Sequence, residues 1–289
     1  MRIEVDDGVR LFVDVDGAEF VPDGPRMRRR PALVLLHGGP GMDHSSLKVE
    51  LASLREIAQL VFIDHRGNGR SDDGPREKWN LAQWGDDVRT VCDVLGIESP
   101  VVMGQSFGGF VAQSYATRHP EHPAALIFSS TSPKKNAARN LAMFEKLGGA
   151  SARSIAEEFY RDPSPETLGD FVKQCMSLYN TRFSDPDGMK RSVLRGEVLF
   201  HFFKHGWPSF DFLPDLSRIC CPTLVLGGEE DPTTPIEDQE DIVAAIRSDL
   251  VQFHRFPDCG HGAYRDCPDQ AIPIIRDFIL SAWREPGDG

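Results

Sequence analysis

One serine of this 289-residue chain lies in a setting typical of a nucleophile. The stretch VVMGQSFGGF at 101–110 places Ser106 between Gly104 and Gly108, which satisfies the pattern G-x-S-x-G. Apolar residues precede the pattern, and a helix-compatible run, FVAQSYATRHP, follows it. A sharp strand-turn-helix junction exposes the serine hydroxyl and directs the first amides of the helix toward the reacting atoms. The alternative role for Ser106 is an ordinary helix N-cap.

A serine nucleophile needs a general base and a third group that orients this base. Asp231 lies in LVLGGEEDPTTP, on a loop that follows a predicted strand, and His261 lies in FPDCGHGAY, just after the final predicted strand. The order serine, acid, histidine is one of the known chain orders of such a triad. We therefore predict a catalytic triad of Ser106, Asp231 and His261, in which Glu230 and Glu229 are rivals of Asp231 as the acid.

The oxyanion that forms when a serine attacks a carbonyl needs at least two preset donors. One is the N–H of Phe107, directly after the nucleophile. The other is expected from the loop LLHGGPG, whose glycines let backbone amides approach a substrate. We choose Gly39 as this donor, with Gly38 as the alternative. His37 is expected to tie the loop down rather than to act as a second base.

The elements around these residues predict an α/β fold, because short apolar runs alternate with amphipathic stretches. The run RLFVDVDG from Arg10 alternates apolar and polar residues, as a half-exposed strand near a sheet edge does. Six runs are predicted as buried strands of a mostly parallel sheet: ALVLLHG, LVFIDHRG, PVVMGQS, AALIFSS, PTLVLGG and LVQFHRF. Helices are predicted over 45–57, 79–95, 106–118, 236–246 and 268–283.

This alternation stops between 132 and 217, where helical stretches separated by prolines contain no convincing strand. We interpret this part as an inserted helical cap. The predicted organisation is a core of 1–131 and 218–289 with a cap of 132–217. Most of the aromatic side chains of the cap are expected to pack against the core, and a few to line a pocket.

Composition excludes several classes of partner. The chain has 40% hydrophobic and 26% charged residues, as globular proteins do. Its net charge of −12 argues against nucleic acid or an anionic membrane as a partner, since both attract a basic face. The one basic run, RMRRR at 26–30, lies among prolines and a glycine and is interpreted as a solvated loop.

The chain carries no recognisable targeting or membrane signal. Its start, MRIEVDDGVRLFVDVDG, has charges every few residues and lacks the apolar centre of a secretory signal. No run approaches the roughly 18 apolar residues of a membrane span. We expect a cytoplasmic protein whose six cysteines, none with C-x-x-C spacing, are free thiols. No phosphate-binding loop, metal cluster or haem motif occurs, so no cofactor is expected.

Taken together, these motifs resemble the proline iminopeptidase group of the α/β hydrolases. The resemblance covers the predicted core and is weak through the cap. It implies an α/β-hydrolase fold and release of an N-terminal proline from peptides. It also implies that Arg66 and Asp72 have a structural role and order the turn beside the nucleophile. The residues that carry it are HGGPG at 37–41, DHRGNGRSD at 64–72, GQSFGGF at 104–110, Asp231, and GH at 260–261.

Two departures from the family pattern weaken the inference that this chain shares the family's substrate. Many small members have Trp after the nucleophile, where this chain has Phe107. The family's cap motif, approximately R-x-E-N-H-Y-F, supplies a glutamate that binds the substrate amine, and here LRGEVLFHFF offers only Arg195, Glu197 and an aromatic run. Glu197 is thus the candidate residue that binds the substrate amine. The alternative is that Glu197 is an ordinary glutamate on a helix surface. Hydrolases with HGGPG also include esterases, lactonases and amide hydrolases.

The sequence therefore predicts a cofactor-independent serine hydrolase that acts through an acyl-enzyme on a small molecule or short peptide. A proline iminopeptidase-like aminopeptidase is the leading substrate assignment. A carboxylesterase, lactonase or amide hydrolase is the alternative, and a non-catalytic small-molecule receptor or an acyl transferase is a further one. Serine at the nucleophile position argues against dehalogenase or epoxide hydrolase chemistry, both of which use aspartate there.

Overall fold

A computed structural model describes residues 1–6, 8–182 and 185–285. Small parts of the predicted domains, at 7, 183–184 and 286–289, lie outside the described residues. Among the described residues, no helix is both long enough and apolar enough to cross a membrane. All six cysteines are free thiols, as predicted, and only Cys220 is exposed.

The core of the fold is one eight-stranded sheet, in the order β1-β2-β6-β5-β7-β8-β9-β10. Strands β1 and β2 pair antiparallel, β2 pairs antiparallel with β6, and the six strands from β6 to β10 run parallel. The predicted, mostly parallel sheet is thus confirmed. The strands are β1 Arg2–Asp6, β2 Val9–Asp16, β5 Ala32–Leu36, β6 Gln59–Ile63, β7 Val101–Gln105, β8 Ala125–Ser129, β9 Thr223–Gly228 and β10 Val251–Phe256, with a separate hairpin of β3 Phe20–Asp23 and β4 Arg26–Arg29.

Helices cover both faces of the sheet, because alternate residues of each central strand point to opposite faces. In β5, Val34 and Leu36 belong to one buried apolar cluster, whereas Leu33 and Leu35 belong to the other. The first cluster includes α2 and α3, and the second includes α1 and α10. The helices are α1 Ser45–Glu50, α2 Leu81–Leu95, α3 Phe107–Arg118, α4 Ala137–Arg161, α5 Pro165–Gln174, α6 Gly188–Arg191, α7 Gly196–His201, α8 Ile236–Ala245, α9 Ala263–Asp266 and α10 Pro268–Ala282.

Three sequence expectations about the strands were wrong or incomplete. The run RMRRR forms β4 rather than a loop, since its side chains stay exposed while its backbone pairs with β3. The run LVQFHRF forms β10 at the sheet edge, so only Phe256 of this strand is buried. The charged strand β1, which was not predicted, forms the opposite edge beside β2. In each case the position of the strand in its sheet decides which side chains are exposed. The composition of a single strand does not specify that position.

Between β8 and β9 the chain forms α4 to α7 and a short π-helical turn, Phe202–Gly206. This segment is anchored to the core near its start and again before α7. Arg139 of α4 contacts Asp238 and Asp241 of α8 at 2.7 Å each. Before α7, the N–H of Arg195 donates to the carbonyl oxygen of Gly41 at 2.7 Å. The cap boundaries predicted at 132 and 217 stay a prediction.

The turn between β7 and α3 depends on very close backbone packing. A Cβ atom on Gly104 would overlap the carbonyl oxygen of Gly108, and one on Gly108 would overlap the carbonyl oxygen of Leu36. A side chain at either position forces β5, β7 and α3 apart, since the atoms it meets belong to the backbone and have little freedom to move aside.

We expect Gly108→Ala to lower the free energy of unfolding by about 3 kcal/mol or more, because overpacking a rigid site distorts the surrounding backbone. The matched control is Gly169→Ala in α5, where an added Cβ has open space. This change should raise the same free energy by about 0.5–1 kcal/mol through helix propensity. Urea unfolding of both variants measures the effects. Equal stability of Gly108→Ala and wild type would show that the close approach is not rigid.

Candidate active site

Four loops that carry the predicted site residues meet at one edge of the sheet. Parallel strands end at the same edge, where open α/β sheets bind their ligands. Ser106 follows β7, the glycine-rich loop at 37–41 follows β5, Asp231 lies beyond β9, and His261 lies beyond β10. The strands β5 and β7 are direct neighbours, as are β9 and β10. The fold therefore gathers residues that are up to 224 positions apart in the sequence.

Ser106 lies at the tip of the turn, in a backbone conformation that residues other than glycine rarely adopt. Its φ is 54° and its ψ is −118°. Its N–H donates to the carbonyl oxygen of Ser129 at 3.0 Å, and its own carbonyl oxygen accepts from Thr131 Oγ1 at 2.8 Å. Ser106 is half-buried and its side chain makes no capping hydrogen bond to α3. The strained backbone is thus held by its neighbours, while the Ser106 hydroxyl has no hydrogen-bond partner among the residues that the structure describes.

Asp231 and His261 form a buried pair. Asp231 Oδ2 lies 2.8 Å from His261 Nδ1, and the two residues are 0% and 5% exposed. The loop EEDPTTP satisfies the other lone pairs of this carboxylate. Oδ1 accepts from the N–H groups of Thr233 and Thr234 at 2.9 Å each, and Oδ2 accepts from Thr234 Oγ1 at 2.7 Å. A carboxylate with this many donors is well suited to remain ionised without water.

The electrostatics of this pair favour a charged Asp231. Burial by itself raises the pKa of the carboxyl group. The charge attraction and hydrogen bond to His261 and the hydrogen bonds from Thr234 outweigh this effect, so the pKa of Asp231 lies below its ordinary value. A carboxylate on Nδ1 fixes the tautomer in which Nδ1 carries the proton and Nε2 is free to accept one.

The two rival acids do not contact His261. Glu229 pairs with Arg255, its Oε1 lying 3.0 Å from Arg255 Nε. Glu230 is half-buried, and its N–H donates to the carbonyl oxygen of Cys259 at 3.0 Å. The structure thus brings Asp231, and neither glutamate, to the imidazole.

No hydrogen bond joins Ser106 Oγ to His261 Nε2 among the described contacts, although their loops are adjacent. The N–H of Gly262, next to His261, donates to Ser130 Oγ at 2.9 Å. A Cβ atom on Gly262 would lie 3.6 Å from Nε2 of Gln105, the neighbour of Ser106. Such hydrogen bonds are often long without substrate and tighten in the complex.

The glycine-rich loop lies against the nucleophile. A Cβ atom on Gly38 would lie 3.1 Å from the Ser106 Cβ, and Gly39 has a positive φ of 63°. The N–H groups of Gly38, Gly39 and Phe107 donate to no acceptor within the part of the chain that the structure describes. Phe107 is the first residue of α3, where helix amides lack an internal partner. Free amides beside a nucleophile are what an oxyanion requires, and the roles of Gly39 and Phe107 as its donors stay a prediction.

His37 is built into the loop as a structural residue. It is 1% exposed, its Nδ1 lies 3.0 Å from the carbonyl oxygen of Gly38, and its Nε2 accepts from the N–H of His65 at 3.3 Å. Burial lowers the pKa of His37 despite the nearby Asp64. A neutral ring with both nitrogens engaged matches the expected structural role of His37.

The resemblance implies a structural role for Arg66 and Asp72, and Arg66 lies beside the turn that carries Ser106. Its side chain is buried, with Nη2 2.7 Å from Asp87 Oδ1, and its carbonyl oxygen accepts from Trp84 Nε1 at 3.0 Å. Trp84 in turn packs edge-on against Phe107, with ring centroids 5.1 Å apart. Asp72 instead binds Arg2 of β1 at 2.7 Å, so its side chain stabilises the sheet edge rather than the turn.

Glu197 pairs with an arginine at the protein surface. Its carboxylate is about half exposed and lies 3.4 Å from Arg76 Nη2 at the protein surface. Arg195 ties the start of α7 to the core, because its Nε also donates to the carbonyl oxygen of Gly69 at 3.2 Å. The role of Glu197 as an amine anchor stays a prediction.

Sequence reasoning missed the residues of the 132–217 segment that bind the backbone of His261. The N–H of His261 donates to the carbonyl oxygen of Tyr179 at 2.5 Å, and Asn180 Nδ2 donates to the His261 carbonyl at 3.1 Å. The rings of Tyr179 and His261 meet edge-on at 5.4 Å. Only the tertiary fold brings these positions together, since their strongest contacts are made by the backbone.

A separate surface cleft of about 570 Å³ lies away from these loops. Its lining includes Gly96 and Ile97 before β7, and Pro120 and His122 before β8. It therefore opens at the amino ends of the strands, opposite Ser106, and takes no part in the chemistry of the triad residues.

Comparison with known proteins identifies the family. The family model described as the alpha/beta hydrolase fold matches residues 31–266. The chain belongs to the α/β-hydrolase family. The match includes the glycine-rich loop, the nucleophile turn, Asp231 and His261, so the residues that meet at the sheet edge lie within the shared domain of this α/β hydrolase.

Its relatives differ in the activities for which they are named. The proline iminopeptidase PfmaB of Pestalotiopsis fici is 25% identical over 280 residues, which covers 93% of this chain and 98% of that protein. A solved proline iminopeptidase of Mycobacterium smegmatis superposes with a TM-score of 0.71 at 21% identity, covering 98% of each chain. An esterase of Exiguobacterium antarcticum superposes with a TM-score of 0.70 at 18% identity, covering 97% of this chain and 99% of that one. The structural matches show the fold and leave the substrate open.

The contacts of Asp231 predict the effect of neutralising it. We expect Asp231→Asn to slow phosphonylation of Ser106 by a fluorophosphonate probe by about 10³-fold or more, because the imidazole loses its tautomer control and its counter-ion. Glu230→Gln is the control and should react at the wild-type rate. The rate of labelling measures both. Equally slow labelling in the two variants would contradict the assignment of Asp231, rather than Glu230, as the acid.

Proposed function

We propose that this α/β hydrolase is a serine hydrolase that acts through an acyl-enzyme, with Ser106 as nucleophile, His261 as general base and Asp231 as the acid that orients it. The observation that carries the proposal is the buried Asp231–His261 pair at 2.8 Å, at the same sheet edge as a serine held at φ 54°. A pair that only stabilised the fold would not require a free hydroxyl on a strained turn beside it.

In the proposed mechanism, Ser106 Oγ attacks the carbonyl carbon of an ester or amide while His261 Nε2 takes the hydroxyl proton. The oxyanion that forms accepts hydrogen bonds from the N–H groups of Phe107 and Gly39, with Gly38 as the alternative donor. The imidazolium then protonates the leaving alcohol or amine as the carbon–oxygen or carbon–nitrogen bond breaks. Water, deprotonated by His261, hydrolyses the acyl-enzyme and restores Ser106.

A fluorophosphonate probe tests the nucleophile. We expect one probe per chain to be attached to Ser106, because the N–H donors of the oxyanion hole also bind the phosphonyl oxygen. Ser106→Ala should abolish labelling while leaving the fold intact, since an alanine at the turn removes only the hydroxyl. Mass spectrometry of the labelled peptide identifies the site.

The labelling experiment also addresses the alternatives. A folded wild-type protein that stays unlabelled would contradict the hydrolase proposal and favour a non-catalytic receptor. A labelled protein that transfers its acyl group to an alcohol or amine in preference to water would instead be a transferase, which product analysis reveals.

The finer proposal is an aminopeptidase that releases an N-terminal proline. It is supported by the resemblance of the motifs and by relatives named proline iminopeptidases. It requires a carboxylate for the substrate amine, and Glu197 is the candidate. Binding would have to break the contact of Glu197 with Arg76, which is 70% exposed and thus free to move away. Carboxylic ester hydrolysis is the second candidate, since it needs no such rearrangement and a structural neighbour is named an esterase.

The two substrate classes are separated by comparing proline p-nitroanilide with p-nitrophenyl acetate. If Glu197 binds the amine, Glu197→Gln raises KM for the prolyl amide about tenfold or more, as loss of a charged hydrogen bond does, and leaves acetate hydrolysis unchanged. Glu166→Gln, an exposed glutamate of α5, is the matched control. Cleavage of the ester alone, or an unchanged KM in Glu197→Gln, would reject the amine anchor and favour the esterase.

A further inference from the structure

The hydroxyl group of Thr233 contacts both members of the buried pair. Its Oγ1 lies 2.8 Å from His261 Nδ1 and 3.0 Å from Asp231 Oδ1. The other carboxylate oxygen, Oδ2, lies 2.8 Å from the same Nδ1. Imidazole, carboxylate and hydroxyl therefore form a closed ring of three hydrogen-bonding groups, in which Asp231 and His261 are buried and Thr233 is half-buried.

One assignment of protons satisfies all three contacts. The hydroxyl of Thr233 has a single proton, which it donates to Asp231 Oδ1, because an ionised carboxylate only accepts. Its oxygen lone pair then faces Nδ1, which must carry a proton to bond with either neighbour. The Nδ1–H is thus shared between Asp231 Oδ2 and Thr233 Oγ1, and in the neutral ring Nε2 is the nitrogen that can accept a proton.

The fold of the loop does not itself require this hydroxyl. The turn after Asp231 is held by the backbone N–H groups of Thr233 and Thr234, which most residues supply. The side chain of Thr234 donates to Oδ2 and thus covers the carboxylate from the other side. The contact between Thr233 Oγ1 and Nδ1 is additional to these bonds, and a valine of the same shape would retain all of the backbone contacts.

The position of Thr233 is itself held by the 132–217 segment. Asn140 Nδ2 donates to the carbonyl oxygen of Thr233 and, at 3.3 Å, to that of Pro232. Next to it, Arg139 binds Asp238 and Asp241 of α8. The start of α4 thus fixes the loop from which the hydroxyl projects.

We propose that Thr233 is a positioning residue that acts through His261: it keeps the proton on Nδ1 and holds the ring so that Nε2 faces the nucleophile. The role in turnover rests on the proposed serine hydrolase function. The hydrogen bond itself does not, since it is a property of the resting protein. Thr233 touches neither the substrate nor the reacting atoms.

Thr233→Val removes the hydroxyl and keeps the shape. We expect kcat for p-nitrophenyl acetate to fall about tenfold with KM within about twofold of wild type, as loss of one hydrogen bond to a group that becomes charged implies. Thr233→Ser should recover most of the rate. Thr117→Val is the matched control, because Thr117 is a buried threonine of α3 whose Oγ1, among the described contacts, donates to the backbone carbonyls of Gln113 and Ser114.

A double-mutant cycle separates positioning from general structural support. If Thr233 acts through the Asp231–His261 pair, Thr233→Val has less than a twofold effect on the rate of fluorophosphonate labelling in the Asp231→Asn background. A tenfold effect in both backgrounds would overturn the proposal. So would a serine variant as slow as the valine variant, or a valine variant with wild-type kcat.

Proton NMR of the unliganded protein provides a readout that does not depend on activity. In wild type the Nδ1–H of His261 should give a downfield resonance that exchanges slowly with water, and Thr233→Val should shift it or broaden it. This result supports the positioning role even if the ester and the probe prove unreactive, in which case only the hydrolase function fails. An unaltered resonance in Thr233→Val would overturn the proposal.

Discussion

The site depends on one steric constraint, the approach of the Gly108 backbone to the carbonyl oxygen of Leu36. This contact brings the start of α3 directly against the end of β5. The nucleophile turn and the glycine-rich loop therefore form one rigid unit, in which Gly38 lies in contact with Ser106. This packing is made by backbone atoms rather than by side chains. The donors proposed for an oxyanion, the amides of Phe107 and Gly39, are likewise backbone groups.

The second constraint is electrostatic. Asp231 and Asp64 are fully buried carboxylates, and a buried charge is tolerated only with enough donors and an opposite charge nearby. The loop after β9 supplies Asp231 with amides, hydroxyls and an imidazole. Burial alone would raise the pKa of Asp64, but the hydrogen bond from His44 lowers it to about 2. Both networks therefore hold loops at the sheet edge where Ser106 lies.

The segment between β8 and β9 acts on the site through the backbone. Tyr179 and Asn180 bind the main chain of His261, Asn140 binds the carbonyl of Thr233, and Arg195 binds Gly41. The base, the acid loop and the glycine-rich loop are each in contact with this one insertion. A displacement of the segment would therefore alter all three together, whereas the central sheet would keep its packing.

Much of this protein was determined by its sequence alone. Apolar runs that alternate with amphipathic stretches predicted the parallel strands, because a strand buried on both faces is apolar along its whole length. The order of the motifs predicted Ser106, Asp231 and His261 as partners. Only the tertiary structure decided that β10 is an exposed edge, that RMRRR pairs as a strand, and that Glu197 faces Arg76. It also decided that Thr233 and Tyr179 reach His261. The physical reason is that exposure, pairing and backbone contacts depend on neighbours distant in the chain, whereas local periodicity reports only a segment's own preference.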